Sequence, residues 1–219
     1  MVDVVVKDND NNILFNQNWN TLSNGSYHYK SLYLYCKNLN RISKGMAIGT
    51  HNGEFGEWVP LVLENKTECV LVEASEKQFK ELFNNYGVKN NLKLLNSIVT
   101  TDGSDVEFFE GGEGYTNTIV ERVIRNWEKE EIKSSIKNSI SINDLIKLYY
   151  ADGFDWLHLD VEGLDSKLIM SINENYLPNL IIFEDFNLFE EEKREIYNWL
   201  YNKKFKNFSS KGICTSLRS

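Results

Sequence analysis

The sequence lacks the features that mark membrane-spanning, secreted and nucleic-acid-binding proteins. It has no run of about 18 apolar residues, so we expect no transmembrane helix. The N-terminus (MVDVVVKDND) does not place basic residues before an apolar stretch, as a signal peptide would. Positive charge is scarce, with 24 Lys and Arg against 32 Asp and Glu and a net charge of −8. Nucleic acid is bound by clustered cations, so we expect no nucleic-acid partner. Together with the missing apolar run and signal peptide, this predicts a soluble cytoplasmic protein with no membrane partner.

Cysteine is also scarce, and the chain lacks the length for two full domains. Cys36, Cys69 and Cys214 are odd in number and do not have the spacing of metal ligands. Cys36 and Cys69 fall at apolar positions, so we predict buried free thiols. At 219 residues the chain is long enough for one α/β domain with a complete core.

One stretch, from Gly45 to Glu73 (GMAIGTHNGEFGEWVPLVLENKTECVLVE), has the pattern of a nucleoside-binding site. An apolar strand leads into a turn with Gly49, Gly53 and Gly56, a helical segment follows, and a second apolar strand ends in Glu73. Glycines let the backbone approach a ligand closely, and a helix N-terminus offers unpaired N–H groups. A carboxylate about 20 residues downstream, at the end of the next strand, can accept hydrogen bonds from both ribose hydroxyls.

The spacing of the turn glycines distinguishes between two kinds of cofactor. A dinucleotide site has G-x-G-x-x-G after the first strand, whereas this turn reads Gly49-x-x-x-Gly53-x-x-Gly56. A pyrophosphate needs the tighter turn, because its charge sits against bare N–H groups. The looser turn favours a cofactor without a phosphate, such as S-adenosylmethionine (SAM). The structural alternative is an ordinary strand–turn–helix with Glu73 on the surface.

The remaining pattern predicts a doubly wound α/β fold with a mostly parallel sheet. Strands alternate with helices from residue 45 to residue 205. Near-continuous apolar runs, such as Leu180 to Phe183, indicate strands that are buried on both faces. Ser141-x-x-Asp144 has the form of a capping box, which predicts that a helix begins there and runs to Tyr150.

The first 44 residues form a separate part of the predicted structure. Residues 2–15 read as a β-hairpin. Leu32, Tyr35, Cys36 and Leu39 recur on one face of a predicted helix. We therefore divide the chain into an N-terminal hairpin and helix extension (1–44) and a SAM-binding domain (45–219).

Acidic residues follow several of the predicted parallel strands. Glu73, Asp160 and the pair Glu184-Asp185 each come directly at the end of an apolar run. Doubly wound sheets bind their ligands outside the carboxyl ends of the strands. The sequence therefore predicts that these carboxylates lie around one cleft.

The order of several motifs resembles the FkbM family of SAM-dependent methyltransferases. The resemblance covers about Gly45 to Asn187, and the segments that carry it are IGTHNGEFG, VLVEAS, SIVTTDGSDVEFF, SISINDLI, LHLDVEGLD and PNLIIFE. It implies a seven-stranded, Rossmann-like methyltransferase sheet in which the last strand is antiparallel. It also implies methyl transfer to oxygen, often to a hydroxyl on a sugar or natural product.

The resemblance implies roles for individual residues. Glu73 would bind the ribose, Ser97 and Ile98 would flank the adenine, and Asp160 to Gly163 would face the substrate. The implied cofactor-binding residues are Gly49, His51, Asn52, Gly53, Glu73, Ala74, Ser97, Ile98 and Asp160.

Some positions depart from the family pattern D-x-G-A-N at the first strand end. Ala47 stands where the family has an acidic residue, and His51 replaces the Asn. His158 replaces the Lys that precedes D-V-E-G. The missing carboxylate predicts weaker cofactor binding and motivates an alternative, in which the chain is a SAM-binding module that has lost catalysis.

Methyl transfer to a hydroxyl requires aligned reactants and a group that takes the hydroxyl proton. We predict Asp160 as this base, with His158 and Glu162 as the other catalytic candidates. A second possibility is a Mg²⁺ ion held by oxygen ligands, which would lower the pKa of the hydroxyl. Its predicted ligands are Asp160, Glu184 and Asp185.

The acceptor itself is not specified beyond a hydroxyl on a small molecule or carbohydrate, and self-association of the chain is left open. An NAD-dependent oxidoreductase is a further alternative, which the missing second turn glycine disfavours.

Overall fold

The computed structural model describes residues 3–7, 13–18, 36, 41–54, 62–63, 66–111, 116–128, 132–210 and 212–218. Within these ranges the strands are β1 (Asp3–Lys7), β2 (Ile13–Asn18), β3 (Lys44–Ile48), β4 (Glu68–Glu73), β5 (Leu92–Asn96), β6 (Ile98–Thr100), β7 (Val106–Glu110), β8 (Lys133–Lys137), β9 (Ser139–Ser141), β10 (Trp156–Leu159), β11 (Leu180–Glu184), β12 (Phe205–Ser210) and β13 (Ile213–Arg218). The α-helices are α1 (Glu76–Tyr86), α2 (Glu121–Trp127), α3 (Ile142–Tyr150), α4 (Asp165–Ser171) and α5 (Glu190–Asn202).

A seven-stranded sheet in the order β12-β13-β11-β10-β3-β4-β5 forms the centre of the fold. Strands β11, β10, β3, β4 and β5 run parallel, whereas β13 is antiparallel to both β11 and β12. The doubly wound, mostly parallel sheet with an antiparallel last strand is therefore confirmed. The strand order reverses between β3 and β10, which is where such sheets bind their ligands.

Alternate residues of the central strands pack on opposite faces of the sheet. Val70 and Val72 belong to one buried apolar cluster, and Cys69 and Leu71 belong to the cluster on the other face. Because both faces are covered, β4 is apolar at nearly every position and does not alternate between apolar and polar residues. The cysteine prediction is also confirmed, since Cys36, Cys69 and Cys214 are buried free thiols.

Local capping explains where two helices begin. Ser141 is the N-cap of α3, and its hydroxyl accepts a hydrogen bond of 3.0 Å from the Asp144 N–H, as the capping-box pattern predicts. Ser75 is the N-cap of α1, directly after β4. This short connection places Glu73 immediately before a helix N-terminus.

The predicted N-terminal hairpin is present, with β1 and β2 paired antiparallel from Asp3 opposite Asn18. The predicted helix from Leu32 to Leu39 lies outside the described residues except at Cys36, which is helical. The helix expected after the glycine turn is likewise described only at residues 62–63. The division at residue 44 stays a prediction. In the ranges that the structure describes, no helix is both long and apolar enough to cross a membrane.

Candidate cofactor and acceptor site

A cavity of about 670 Å³ lies outside the carboxyl ends of β3, β4, β10 and β11. Most of the residues that the sequence assigned to the site line this cavity. They are Gly49, His51, Glu73, Ala74, Ser97, Ile98, His158, Asp160, Glu162 and Glu184. Asn52, Gly53 and Asp185 were assigned to the site as well but are not among the lining residues.

The turn after β3 is held tightly between its two neighbouring strands. The Gly49 N–H donates to the Val72 carbonyl at 2.9 Å, and the Asp160 N–H donates to the Ile48 carbonyl at 3.0 Å. Gly49 has φ of +79°, and a Cβ built at this position would lie 1.8 Å from the Asp160 carbonyl oxygen. Only glycine fits this close approach, so the turn and the end of β10 form one surface of the cavity.

Glu73 is a buried carboxylate with both oxygens fixed by the backbone. Its Oε2 accepts the His51 N–H at 2.7 Å and its Oε1 accepts the Ser75 N–H at 2.8 Å. Burial raises the pKa of Glu73, while the hydrogen bonds from Ser75 and His51 oppose that rise. Since each carboxylate oxygen can accept a second hydrogen bond, Glu73 remains able to accept from the two hydroxyls of a ribose.

The other donors and acceptors in the wall suit a nucleoside without phosphates. The Thr50 hydroxyl is buried beside the cavity and has no hydrogen-bond partner within the described residues. Among the lining residues that the structure describes, none is Lys or Arg. A pyrophosphate would therefore find no cationic side chain here, whereas SAM has hydroxyls, an adenine and positive charge that match the wall.

Besides Glu73, the cavity wall contains an acidic cluster of Asp160, Glu162 and Glu184. One carboxylate oxygen from each of these residues lies within 4.8 Å of the others. The Asn187 side-chain amide donates to Glu162 Oε2 at 2.8 Å and to Glu184 Oε2 at 2.9 Å. Its nitrogen thus bridges two of the carboxylates.

Desolvation by the surrounding protein and mutual repulsion raise the pKa of every carboxyl in the acidic cluster. The surrounding protein and the like charges of Asp165 and Glu73 raise the pKa of Asp160 to about 7, although its carboxyl faces the cavity. Burial, followed by the charges of Asp160 and Glu184, raises the pKa of Glu162 to about 9. Burial and Asp160 raise the pKa of Glu184 to about 7. The cavity therefore favours a ligand that brings positive charge or hydrogen-bond donors.

A profile of the methyltransferase FkbM domain family matches residues 47–207. The chain belongs to the FkbM methyltransferase family. It is therefore a SAM-dependent methyltransferase by family, and the Rossmann-like topology of its sheet agrees with that assignment.

Several solved structures are similar to this FkbM methyltransferase at low sequence identity. An O-methyltransferase from Bacillus cereus in complex with SAH is 16% identical, with a TM-score of 0.47, and the match covers 91% of this chain and 87% of that one. A putative caffeoyl-CoA O-methyltransferase from Staphylococcus aureus is 11% identical with a TM-score of 0.47, covering 86% of this chain and 81% of that one. The Methanococcus jannaschii fibrillarin pre-rRNA processing protein is 12% identical with a TM-score of 0.46, covering 81% and 67%. A search of curated proteins found no match.

In this FkbM methyltransferase the expected metal ligand Asp185 lies apart from the acidic cluster. Its carboxylate accepts hydrogen bonds from the Ser209 hydroxyl at 2.5 Å and from the Tyr197 hydroxyl. Successive residues at a strand end point to opposite faces, so Glu184 faces the cavity and Asp185 does not. Glu162 takes the third position in the cluster instead.

Asn52 and Gly53 face α1, and His158 lies in the cavity wall. The Asn52 side chain lies 3.5 Å from the Glu81 carboxylate, and the Gly53 carbonyl lies 3.5 Å from the Tyr86 hydroxyl. Burial lowers the pKa of His158 to about 4, so its imidazole is neutral at pH 7.

Asp165 is a site residue that sequence reasoning did not assign a role. It is fully buried at the start of α4 and accepts the Val161 N–H at 3.4 Å and the Gly163 N–H at 3.2 Å. Glu162, between those two residues, has φ of +54°, a conformation uncommon outside glycine. Asp165 therefore fixes the turn that carries Asp160 and Glu162. Asp165 is the last residue of the LHLDVEGLD motif, and this position was the feature of the sequence that could have identified it.

Trp127 and Asn187 are two further residues of the site that the sequence did not predict. Trp127 lines the cavity at the end of α2, and its Nε1–H donates to Asn187 Oδ1 at 3.3 Å. Asn187 in turn bridges Glu162 and Glu184. The sequence offered no signal for this chain of contacts, because α2 and the β11–α5 connection meet only in the folded protein.

Proposed function

We propose that this protein transfers a methyl group from SAM to a hydroxyl oxygen of a small molecule or carbohydrate. One observation carries the proposal. A single cavity holds a buried carboxylate suited to a ribose, Glu73, and a central carboxyl with a pKa near neutrality, Asp160. The first suits the nucleoside half of SAM, and the second suits proton removal from the acceptor.

SAM supplies an electrophilic methyl group on a sulfonium. The lining residues around Glu73 would hold its nucleoside, with Ser97 and Ile98 beside the adenine and the Gly49 turn against the remainder. Since all of these residues belong to strand ends or to the adjoining turns, their positions are fixed by the sheet before ligand binds. Such preorganisation orients the reactants for in-line displacement.

The pKa values discriminate between the candidate bases. A base works best when its pKa lies near the working pH, and Asp160 at about 7 meets that condition. His158, at about 4, is too weak a base to hold the proton at pH 7. Glu162, at about 9, is mostly protonated at pH 7 in the ligand-free protein and so does not take the proton, although a bound cation would lower its pKa.

A divalent cation is a second candidate for the acidic cluster. Three carboxylate oxygens within 4.8 Å of one another suit a hard cation such as Mg²⁺, and its charge would relieve their repulsion. Asp160, Glu162 and Glu184 would be its ligands, and the ion would lower the pKa of a bound hydroxyl. Dialysis against a chelator tests this candidate: activity that disappears and returns with Mg²⁺ supports it, and unchanged activity eliminates it.

Calorimetry with SAM and NAD, followed by a turnover assay, tests the main proposal. We expect SAM to bind and NAD not to bind, and a methyl-labelled SAM to label a hydroxyl acceptor from a library of alcohols and sugars. Asp160→Asn is the matched variant, because it keeps the size of the side chain and removes the base. SAM binding without turnover would favour the non-catalytic module, and NAD binding without SAM binding would refute the proposal.

A further inference from the structure

Two exposed aromatic side chains pack against each other where the end of α2 meets the β11–α5 connection. Trp127 is 51% exposed and Phe186 is 58% exposed, and their ring centroids are 5.7 Å apart. Trp127 lines the cavity and Phe186 packs against it from outside the lining, so the pair adds exposed aromatic surface to one wall of a ligand cavity. We call Trp127 and Phe186 the aromatic platform.

The aromatic platform is held in place by the residues that face the acceptor. The Trp127 Nε1–H donates to Asn187 Oδ1 at 3.3 Å, and the Asn187 amide nitrogen contacts Glu162 and Glu184. Asn187 therefore links the edge of the indole to both carboxylates. Trp127, Glu162 and Glu184 all line the same cavity, so one ligand can reach the indole and the carboxylates.

No cationic side chain among the described lining residues balances the carboxyls in this part of the cavity. Glu162, Glu184 and Asp160 contribute carboxyls, and no Lys or Arg is among the described lining residues. Arg122, the nearby cation, is already engaged, since its guanidinium stacks 3.9 Å from the Phe189 ring centroid and pairs with Glu192 at 3.0 Å. SAM carries a net charge of only about +1, from a sulfonium, an ammonium and a carboxylate, so it offsets about one carboxylate. A second cation would let the remaining carboxyls ionise near neutral pH, because it would lower their raised pKa values.

We propose that the aromatic platform, together with Glu162 and Glu184, binds a positively charged amine, so that the acceptor is a hydroxyl compound that also carries an ammonium group. The inference rests on the proposed methyl transfer and adds the acceptor class. An ammonium group is attracted both to the face of an indole and to carboxylates. A metal ion would satisfy the carboxylates but would leave the platform without a ligand.

Binding of matched charged and neutral probes to the SAH-saturated protein tests the inference. One pair is choline and its uncharged isostere 3,3-dimethyl-1-butanol, and the other is glucosamine and glucose. We expect each ammonium probe to bind at least about tenfold more tightly than its neutral partner, as cation–π and ionic contacts in a partly desolvated site imply. Trp127→Ala should remove most of that preference and Trp127→Phe should keep part of it.

The controls separate this inference from the function on which it rests. Tyr201→Ala removes an aromatic side chain that is 72% exposed and does not line the cavity, so the preference should be unchanged. Glu162→Gln should weaken binding of the ammonium probes more than binding of the neutral ones. Failure to bind SAH would refute the methyltransferase proposal itself. Normal SAH binding with equal affinity for charged and neutral probes, no binding of either ammonium probe, or neutral-probe binding only with added Mg²⁺ would overturn the amine inference alone.

Discussion

Both oxygens of Glu73 already accept backbone N–H groups, and this makes the carboxylate a fixed acceptor at the ribose end of the cavity. Glu73→Ala should lower SAM affinity by more than about tenfold, because hydrogen bonds to a charged group contribute about 1.5–3 kcal/mol. Calorimetry with SAM and with SAH measures the effect. Glu68→Ala is the matched control, since Glu68 lies exposed at the opposite end of β4. Equal affinities for the two variants would contradict the cofactor placement.

The pKa of Asp160, about 7, predicts the pH dependence of catalysis. A general base acts when deprotonated, so kcat/KM for SAM should rise as the pH increases through about 7 and then level off. The positive charge of bound SAM stabilises the carboxylate and lowers its pKa, so the kcat profile should rise at a lower pH than the kcat/KM profile. Asp160→Asn should reduce kcat by about 10²–10⁴-fold. A pH-independent rate in the wild-type protein would exclude Asp160 as the base.

The residues of the site differ in how far the sequence alone could predict them. Glu73 and Asp160 were predictable because each directly follows an apolar strand, and parallel strands end at one edge of the sheet. Asp185, predicted as a metal ligand, is not part of the acidic cluster, since neighbouring residues at a strand end face opposite sides. Glu162 entered the cluster through a turn with positive φ, which no spacing rule predicts.

The turn after β3 can approach the end of β10 closely because Gly49 has no side chain. Gly49 and Gly153 both have positive φ, but a Cβ at Gly49 would meet the Asp160 carbonyl at 1.8 Å, whereas a Cβ at Gly153 would meet nothing within 4 Å. Gly153→Ala should therefore lower the free energy of unfolding by about 1–2 kcal/mol, the cost of placing a non-glycine residue at positive φ. Gly49→Ala should cost at least about twice as much, because β10 must also shift.

Urea denaturation of the two alanine variants measures these costs, and SAH calorimetry adds a functional measure. Only Gly49→Ala should lose SAH affinity, since its side chain would displace the end of β10 at the cavity. If the two variants were destabilised equally, the close contact between the turn and β10 would not be a feature of the folded protein.

At the level of elements, the strands and the capped helices were predictable and α2 was not. The apolar run of β11 predicts a strand, and the cap at Ser141 predicts the start of a helix, each from a few neighbouring residues. Helix α2 mixes charged and apolar residues over only seven positions, which is too short for a clear helical period. Its role depends on tertiary contacts, because Trp127 meets Asn187 from a distant part of the chain.

Across the whole molecule, the cavity concentrates carboxyls whose folded pKa values lie above their usual values. They are Glu73, Asp160, Glu162, Asp165 and Glu184. A carboxyl with a raised folded pKa holds more protons in the native state than in the unfolded state at intermediate pH. Its stabilising effect is complete below its unfolded pKa and is lost as the pH rises through its folded pKa.

His158 acts in the opposite direction over part of this range. Its pKa falls from 6.5 to about 4 on folding, so its contribution increases stability as the pH rises between those values. Above pH 6.5 this contribution is constant, and the raised pKa values of the carboxyls make stability fall as the pH rises. Near pH 9 the buried thiols of Cys36 and Cys69 act in the same direction, because burial raises their pKa values above 9.0. Comparison with a Glu162 variant separates the acidic cluster from these thiols.

The melting temperature of the ligand-free protein should decrease as the pH rises from 6.5 to about 9. Each kcal/mol of lost stability lowers the Tm of a domain of this size by about 2–4 °C. Glu162 is the last of the carboxyls to ionise, at about 9, so Glu162→Gln should flatten the upper part of the curve. Glu107→Gln removes an exposed carboxyl of strand β7 that does not line the cavity, so it serves as the control and should leave the curve unchanged. A Tm that stays level or increases over this range would show that the cavity carboxyls ionise in the folded protein without a cost in stability. That result would also refute the crowding of negative charge that we infer for the acceptor site.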